Sequence, residues 1–190
     1  NFKTDLDSIS AEQYAVALTY HLPVDITVWR SEEVDASFHS RYDACAREYR
    51  YYIHTSPPVF PHQRLYCHSV REGLDISCLN RCASVLVGTH DFSSFTLPSD
   101  ESDTKVRRIY SAAFYPEGPF YVFRIAGSGF LRRMVRMIIG SILRIHMQGG
   151  AVKQMREILE ACDPGRAGDS APAKGLFLYK VYYDTEQVPY

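Results

Sequence analysis

The chain reads as an α+β protein, a mixed, mainly antiparallel sheet flanked by helices. Three observations predict it. Strand-like and helical runs follow one another without the regular alternation of a doubly wound parallel sheet. The run from Lys105 to Ala126 has the pattern of a hairpin, with Glu117-Gly118-Pro119 as its turn. Directly after it, Leu131, Met134, Val135, Ile138, Ile139, Ile142 and Ile145 recur at the three-and-four spacing of one helical face.

Taken in order, Ser10-Ala11-Glu12-Gln13 has the spacing of a capping box, and a helix follows to about Tyr20 before Leu22-Pro23 stops it. Phe2 and the run Ile26-Thr27-Val28-Trp29 read as strand, the end of a preceding domain. Polar, acidic residues from Ser31 to Ser37 form a boundary, which divides the chain into 1–36 and 37–190. Arg47 to Ile53 is a strand by composition. Alternation puts Arg47, Tyr49, Tyr51 and Ile53 on one face and Glu48, Arg50 and Tyr52 on the other. Pro57, Pro58 and Pro61 mark a loop. Asp75 caps a helix to about Val87, with Leu79, Cys82, Ala83 and Leu86 inward and Gly88 ending it. Gly88 to Phe95 is read as a turn, and Thr96–Thr104 as a polar, mobile loop. A helix over Ala151–Cys162, a loop over Asp163–Pro172 and a strand over Gly175–Tyr183 close the chain.

The 190 residues suffice for one good core, or one domain and part of another. Hydrophobic residues make up 46%, and there are 14 tyrosines. No apolar run approaches a membrane span, and the amino end carries no signal-peptide pattern. Five cysteines without framework spacing point to a reduced, intracellular protein. A formal charge of −1 excludes a protein that coats nucleic acid by bulk charge, but leaves room for a local basic patch.

The apolar helix, which the pattern opens at Gly129, carries the most informative charge. Arg136 lies off the centre of the apolar stripe, Arg132 is one turn before it, and Gly140 one turn after, where a second backbone can approach. Two readings stand: a core helix with solvated arginines, or an Arg136 that holds a carboxylate or phosphate through its fork of donors. Arginine interleaved with tyrosine on the Arg47–Ile53 strand suits nucleic acid, since rings stack on bases and guanidiniums meet phosphates; tyrosine-rich strands also serve as plain sheet filling.

Other chemistries lack their parts. There is no His-Glu-x-x-His, no paired Cys-x-x-Cys and no phosphate-binding loop. His90 and Asp91, with Ser93 or Ser94 as nucleophile, would suggest a hydrolase, but adjacent residues on one turn rarely converge as base and nucleophile must.

Five motifs in order give the chain a resemblance to a known family. They are Phe38-His39-Ser40-Arg41, Arg47-Glu48-Tyr49-Arg50-Tyr51, His90-Asp91-Phe92-Ser93-Ser94-Phe95, Gly129-Phe130-Leu131 with Met134-Val135-Arg136, and Ala171-Pro172-Ala173-Lys174-Gly175-Leu176. With these and Leu22-Pro23-Val24-Asp25-Ile26, the chain resembles the TruA-type tRNA pseudouridine synthases along nearly its whole length. The resemblance implies two related halves: the end of an N-terminal half-domain over 1–36 and a C-terminal half-domain over 37–190. It implies isomerisation of uridine to pseudouridine in the tRNA anticodon arm, with no cofactor and no metal. Its partners would be tRNA and, in many members, a second copy of the chain.

The roles that the resemblance carries over are a base-stacking tyrosine at Tyr49, a pocket leucine at Leu176 and, at Arg136, an arginine that pairs with the attacking aspartate. Arg41, Arg47, Lys105, Arg107, Arg108, Arg132 and Arg133 are candidate phosphate contacts. The family's aspartate belongs to a Gly-Arg-Thr-Asp stretch absent from these residues and expected before Asn1, so this polypeptide alone is expected to be inactive. The alternative is a binding module of the same fold that grips tRNA without modifying it.

Overall fold

The computed structural model describes residues 1–6, 8–55, 59–71 and 73–189. Of the prolines read as a loop, Pro57 and Pro58 lie outside the described residues. The chain forms two compact units, Asn1–Ala44 and Cys45–Tyr190.

The first unit holds one helix, α1 (Gln13–His21). Half of the expected capping box forms: Ser10 N–H donates to Gln13 Oε1 (2.8 Å), while the Ser10 hydroxyl turns to Glu12. Neither Phe2 nor Ile26–Trp29 is a strand. A β-rich run needs a neighbouring strand to bond to, and Val28 N–H donates instead to the Thr19 side chain (3.0 Å). Further on, Phe38 and Ser40 are tied to Asn1 by hydrogen bonds, so Phe38–Arg41 belongs to this unit.

The second unit is a six-stranded sheet with helices on one face. Its strands are β1 (Ala46–His54), β2 (His68–Ser69), β3 (Gly88–Asp91), β4 (Val106–Glu117), β5 (Phe120–Gly127) and β6 (Leu176–Tyr182). They run in the order β2-β1-β5-β4-β3, and β6 also pairs with β1. One edge of β1 meets β5, and the other is shared by β6 along residues 46–51 and the short parallel β2 at 53–54. Every other pairing is antiparallel, as the α+β reading predicts. The β4–β5 hairpin turns through Gly118-Pro119, with Gly118 at φ 57°, a conformation glycine adopts without steric cost.

The helices are α2 (Ile76–Ser84), α3 (Met134–Met147) and α4 (Val152–Ala161). Asp75 caps α2 by accepting from Ser77 and Cys78 N–H, and Leu79, Cys82, Ala83 and Leu86 are buried as their spacing predicts. Together with Tyr51 and Ile53 of β1, Phe114 of β4, and Phe123 and Ile125 of β5, the inward faces of all three helices form one core.

Three expectations are corrected. The Gly88–Phe95 segment is not a plain turn: Gly88–Asp91 pairs with β4 as an edge strand, and a 3₁₀ turn follows over Ser93–Phe95. Thr96–Thr104 is tied down, as Thr96 is buried and Asp100 is held by several hydrogen bonds. Finally, α3 begins at Met134, because Arg133 takes the left-handed conformation (φ 64°, ψ 0°) and Leu131–Arg133 is a turn. Leu131 still packs into the core, which is why the periodicity runs on through the turn.

Helix α3 is buried beyond its stripe, at Met137, Ser141 and Leu143 as well. The second covering layer is the segment Arg166–Ala171. Ser141 Oγ and Arg144 Nη2 donate to Ala167 O, and Ala171 N–H donates to Arg136 O. Gly140 makes this approach possible, since a Cβ there would lie 2.1 Å from Asp169 O. Gly140→Ala is therefore expected to lower stability by about 1–3 kcal/mol, read as a fall in the urea midpoint at unchanged slope.

Candidate functional site

Strand β1 carries the site because its two faces do different work. On the face away from the helices, Glu48 is almost fully buried. Arg124 (3.0 Å) and Arg50 (3.2 Å) ion-pair with it, and the Tyr182 hydroxyl donates to it (2.8 Å). Burial pushes the Glu48 pKa up, but the hydrogen bonds from Arg124, Tyr182 and Arg50 outweigh it, so the carboxylate titrates below its ordinary value of 4.5. Beside it, pairing with β6 slips at Glu48/Tyr49, and the Arg50 guanidinium lies 3.4 Å from the Tyr179 ring centre.

On the helix-side face, Tyr49 is half-buried, its ring edge-on to Phe130 at 5.1 Å between centroids. Burial raises its phenol pKa, with Arg47 opposing, so the ring is neutral and able to stack. Two residues along, Tyr51 is fully buried and its hydroxyl donates to Pro172 O (2.8 Å). A Cβ on Gly175 would come within 2.9 Å of the Tyr51 ring, so the 3₁₀ turn Ala173–Gly175 lies directly against it. Leu176, just after that turn, sits opposite Tyr51 in the β1–β6 register, and Leu178 sits opposite Tyr49.

Arg136 reaches the same place from α3. Its Nε donates to Ala171 O (2.7 Å), and its charge acts on the Tyr51 phenol. Arg136 is half-buried, and its two terminal nitrogens have no protein partner among the described residues. A fork of donors fixed at its root and open at its tip is suited to an anion. Tyr49, Leu176 and Arg136, far apart in sequence, are thus gathered around Tyr51 and Pro172. Sequence reading missed Tyr51 as the hub, and Phe130 and Leu178 as the neighbours of Tyr49; the period-two pattern marks Tyr51 only as sheet filling.

The candidate phosphate contacts divide. Arg47 donates to Ser128 O (2.8 Å), and the Arg107 side chain lies beside Gly129, so both border the Ser128–Phe130 segment next to Tyr49. Arg132 and Arg133 follow in the turn, exposed. Arg108 alternates to the other face of β4 and lies over Tyr110 (5.5 Å). Lys105 has all three N–H groups engaged, by Asp100 O, Asp100 Oδ1 and Ser102 O, which leaves none for a phosphate. Arg41 belongs to the first unit, exposed, with its guanidinium 5.7 Å from the Tyr42 ring centre.

The hydrolase alternative loses its parts. Asp91 Oδ1 accepts from Ser93 N–H and Oγ, and His90 Nε2 is 3.1 Å from Val87 O, which are turn-stabilising contacts. Ser94 is buried and accepts from Asp163 N–H. Cys82 is buried and its thiol pKa is pushed up to about 11, against any thiolate role. Among the described residues no group of three or more His, Cys, Asp or Glu could hold a metal ion, and no helix is long and apolar enough to cross a membrane.

An open, half-buried guanidinium beside a neutral tyrosine ring is suited to an anion next to an aromatic base, the chemistry of RNA. Comparison with known proteins makes the class specific. Residues 82–184 match the family model described as tRNA pseudouridine synthase. The chain is 41% identical to tRNA pseudouridine synthase A of Geobacillus kaustophilus over 186 residues, covering 98% of this chain and 72% of that protein. It is 40% identical to the Bacillus subtilis enzyme of the same name (97% and 74% covered) and 37% identical to that of Treponema denticola (96% and 68%). The chain belongs to the TruA-type tRNA pseudouridine synthase family.

The lowered Glu48 pKa has a sign. Its contribution to stability is fully present above the unfolded value of 4.5 and is lost as pH falls through the lower folded value. In denaturation series from pH 7 to 2, Glu48→Gln is expected to be less stable than the parent at neutral pH, with the gap shrinking below pH 4.5.

Proposed function

We propose that the protein isomerises uridine to pseudouridine in the tRNA anticodon arm, with Tyr49, Leu176 and Arg136 as the part of the active site that this chain contributes. The observation that carries the reading is the convergence of these three residues around Tyr51, with the Arg136 terminal nitrogens unpartnered in a half-buried position. The Tyr49 ring stacks on a flipped base without selecting it by hydrogen bonds. Leu176 walls the pocket at the base edge. Arg136 holds the attacking carboxylate ionised and aimed, since an adjacent guanidinium favours the charged form. In the reaction the N1–C1′ bond breaks and N1 takes up a proton, the uracil turns, the C5–C1′ bond forms and the C5 proton leaves to solvent. Substrate and product have the same atoms, so the chemistry calls for no cofactor.

In this reading the attacking carboxylate is none of the described aspartates. Asp75 and Asp91 bind the backbone of their own turns, and Asp100 binds Lys105; no described aspartate bonds to Arg136. Arg47, Arg107, Arg132 and Arg133 border the entrance and grip phosphates. The cysteine pattern fits a reducing, intracellular compartment, and pairing of two copies is the assembly that the family suggests.

Tritium release from tRNA labelled at uridine C5 tests the reading, since release requires C5 to become the glycosidic carbon. The protein carrying its upstream segment is expected to release tritium, whereas residues 1–190 alone bind tRNA and release none. Arg136→Ala in the longer protein is expected to lower kcat by about 10²–10³, with tRNA affinity within a few-fold. Tight binding without release by the longer protein would make this a tRNA-binding module, with Tyr49 and Arg136 serving only to hold RNA.

A further inference from the structure

Between the 3₁₀ turn and β4 lies a segment to which the proposed chemistry assigns nothing. The Thr96 and Asp100 side chains in it are buried, and both point at the backbone of one residue, Arg132. Asp100 Oδ2 accepts from Arg132 N–H (3.3 Å). Thr96 Oγ1 shares its proton between Asp100 Oδ2 (3.1 Å) and Arg132 O (3.3 Å). Both backbone polar groups of Arg132 are therefore bound by side chains of this loop. The next residue, Arg133, is left-handed (φ 64°) without being glycine, a strained conformation that persists only with support from outside the turn.

Lys105 completes the arrangement. Its ammonium is bonded to Asp100 Oδ1 (2.7 Å), Asp100 O (2.7 Å) and Ser102 O (3.1 Å). That fixes the carboxylate and cancels its charge, which would otherwise repel a polyanion at this place. Hydrogen bonds from Lys105 and Ser102 also keep the Asp100 carboxyl far below the usual carboxylate range, so it stays ionised at any working pH. The two guanidiniums beyond the turn are exposed and have no protein partner among the described residues.

We propose that Asp100, clamped by Lys105 and assisted by Thr96, is a positioning residue that holds the Leu131–Arg133 turn in the shape presenting Arg132 and Arg133 to tRNA phosphates. The inference rests on the reading of these arginines as phosphate contacts. It gives Lys105 an indirect role in RNA binding, through Asp100.

The test is a double-mutant cycle in the protein carrying its upstream segment, with tRNA affinity measured across a salt series and kcat and KM by tritium release. Asp100→Ala is expected to weaken tRNA binding and raise KM about tenfold with kcat within twofold. The slope of log affinity against log salt should fall by about 1–2, the signature of one or two lost phosphate contacts. Asp100→Asn, which keeps an acceptor for Arg132 N–H, should recover most of the affinity. In an Arg132→Gln, Arg133→Gln background the Asp100→Ala loss should vanish. If Asp100→Ala does not fold, the near-isosteric Thr96→Val carries the same cycle. An equal loss in both backgrounds, or an unchanged salt slope, overturns the positioning role. Unchanged tRNA affinity in the arginine double variant itself would instead overturn the phosphate-contact reading on which the inference rests.

Discussion

The geometry of the site depends on the pairing of one helix with one extended segment. Arg136 uses its main chain and its side chain on the same neighbour: its carbonyl accepts from Ala171 N–H, and its Nε donates to Ala171 O. A strand would make such a two-way exchange with another strand; here a helix makes it, because Gly140 removes the side chain that would keep the segment away. Ser141 and Arg144 continue the same contact toward Ala167. Pro172, Gly175 and Leu176 follow directly from Ala171, so their places are set once this docking is made. Tyr51 then closes the circuit from the sheet side through Pro172 O.

The sheet side is stiffened by a different force. Glu48 is buried with two arginines and a tyrosine hydroxyl around it, and such a cluster is tolerated only when its hydrogen bonds are made. It pins β1 from below while Tyr49 and Tyr51 pack against the core above. The pairing slip at Glu48/Tyr49 falls at the same point, where extra twist re-aims a side chain.

The electrostatics are local. A chain of formal charge −1 cannot attract RNA by its total charge. Yet Arg47 and Arg107 flank the Ser128–Phe130 segment, and Arg132 and Arg133 follow it. Of the acidic side chains in this part of the chain, Glu48 is engaged by arginines and Asp100 by Lys105, while Glu101 and Asp103 stay exposed. The charges that border the Ser128–Phe130 segment beside Tyr49 are those of Arg47 and Arg107.

By itself, the sequence determined the elements whose signal is local. The Asp75 cap, the hairpin around Gly118-Pro119, the two faces of β1 and the buried stripe of α3 are all written in short-range spacing, and so was the need for a close approach at Gly140. The ordered motifs identified the family, and through it Tyr49, Leu176 and Arg136. Only the tertiary structure decided what depends on long-range partners. Gly88–Asp91 became a strand because β4 was there to bond it, and Ile26–Trp29 did not because a side chain took its N–H. Helix α3 starts at Met134 because Arg133 is left-handed, and the Arg132 backbone before it is bound by Asp100 and Thr96, more than thirty positions earlier. Lys105 and Arg107 have the same charge and neighbouring positions in sequence, yet one closes an internal clamp and the other borders the site. A charge pattern records which donors exist; only the fold determines which acceptors lie within 3 Å of them.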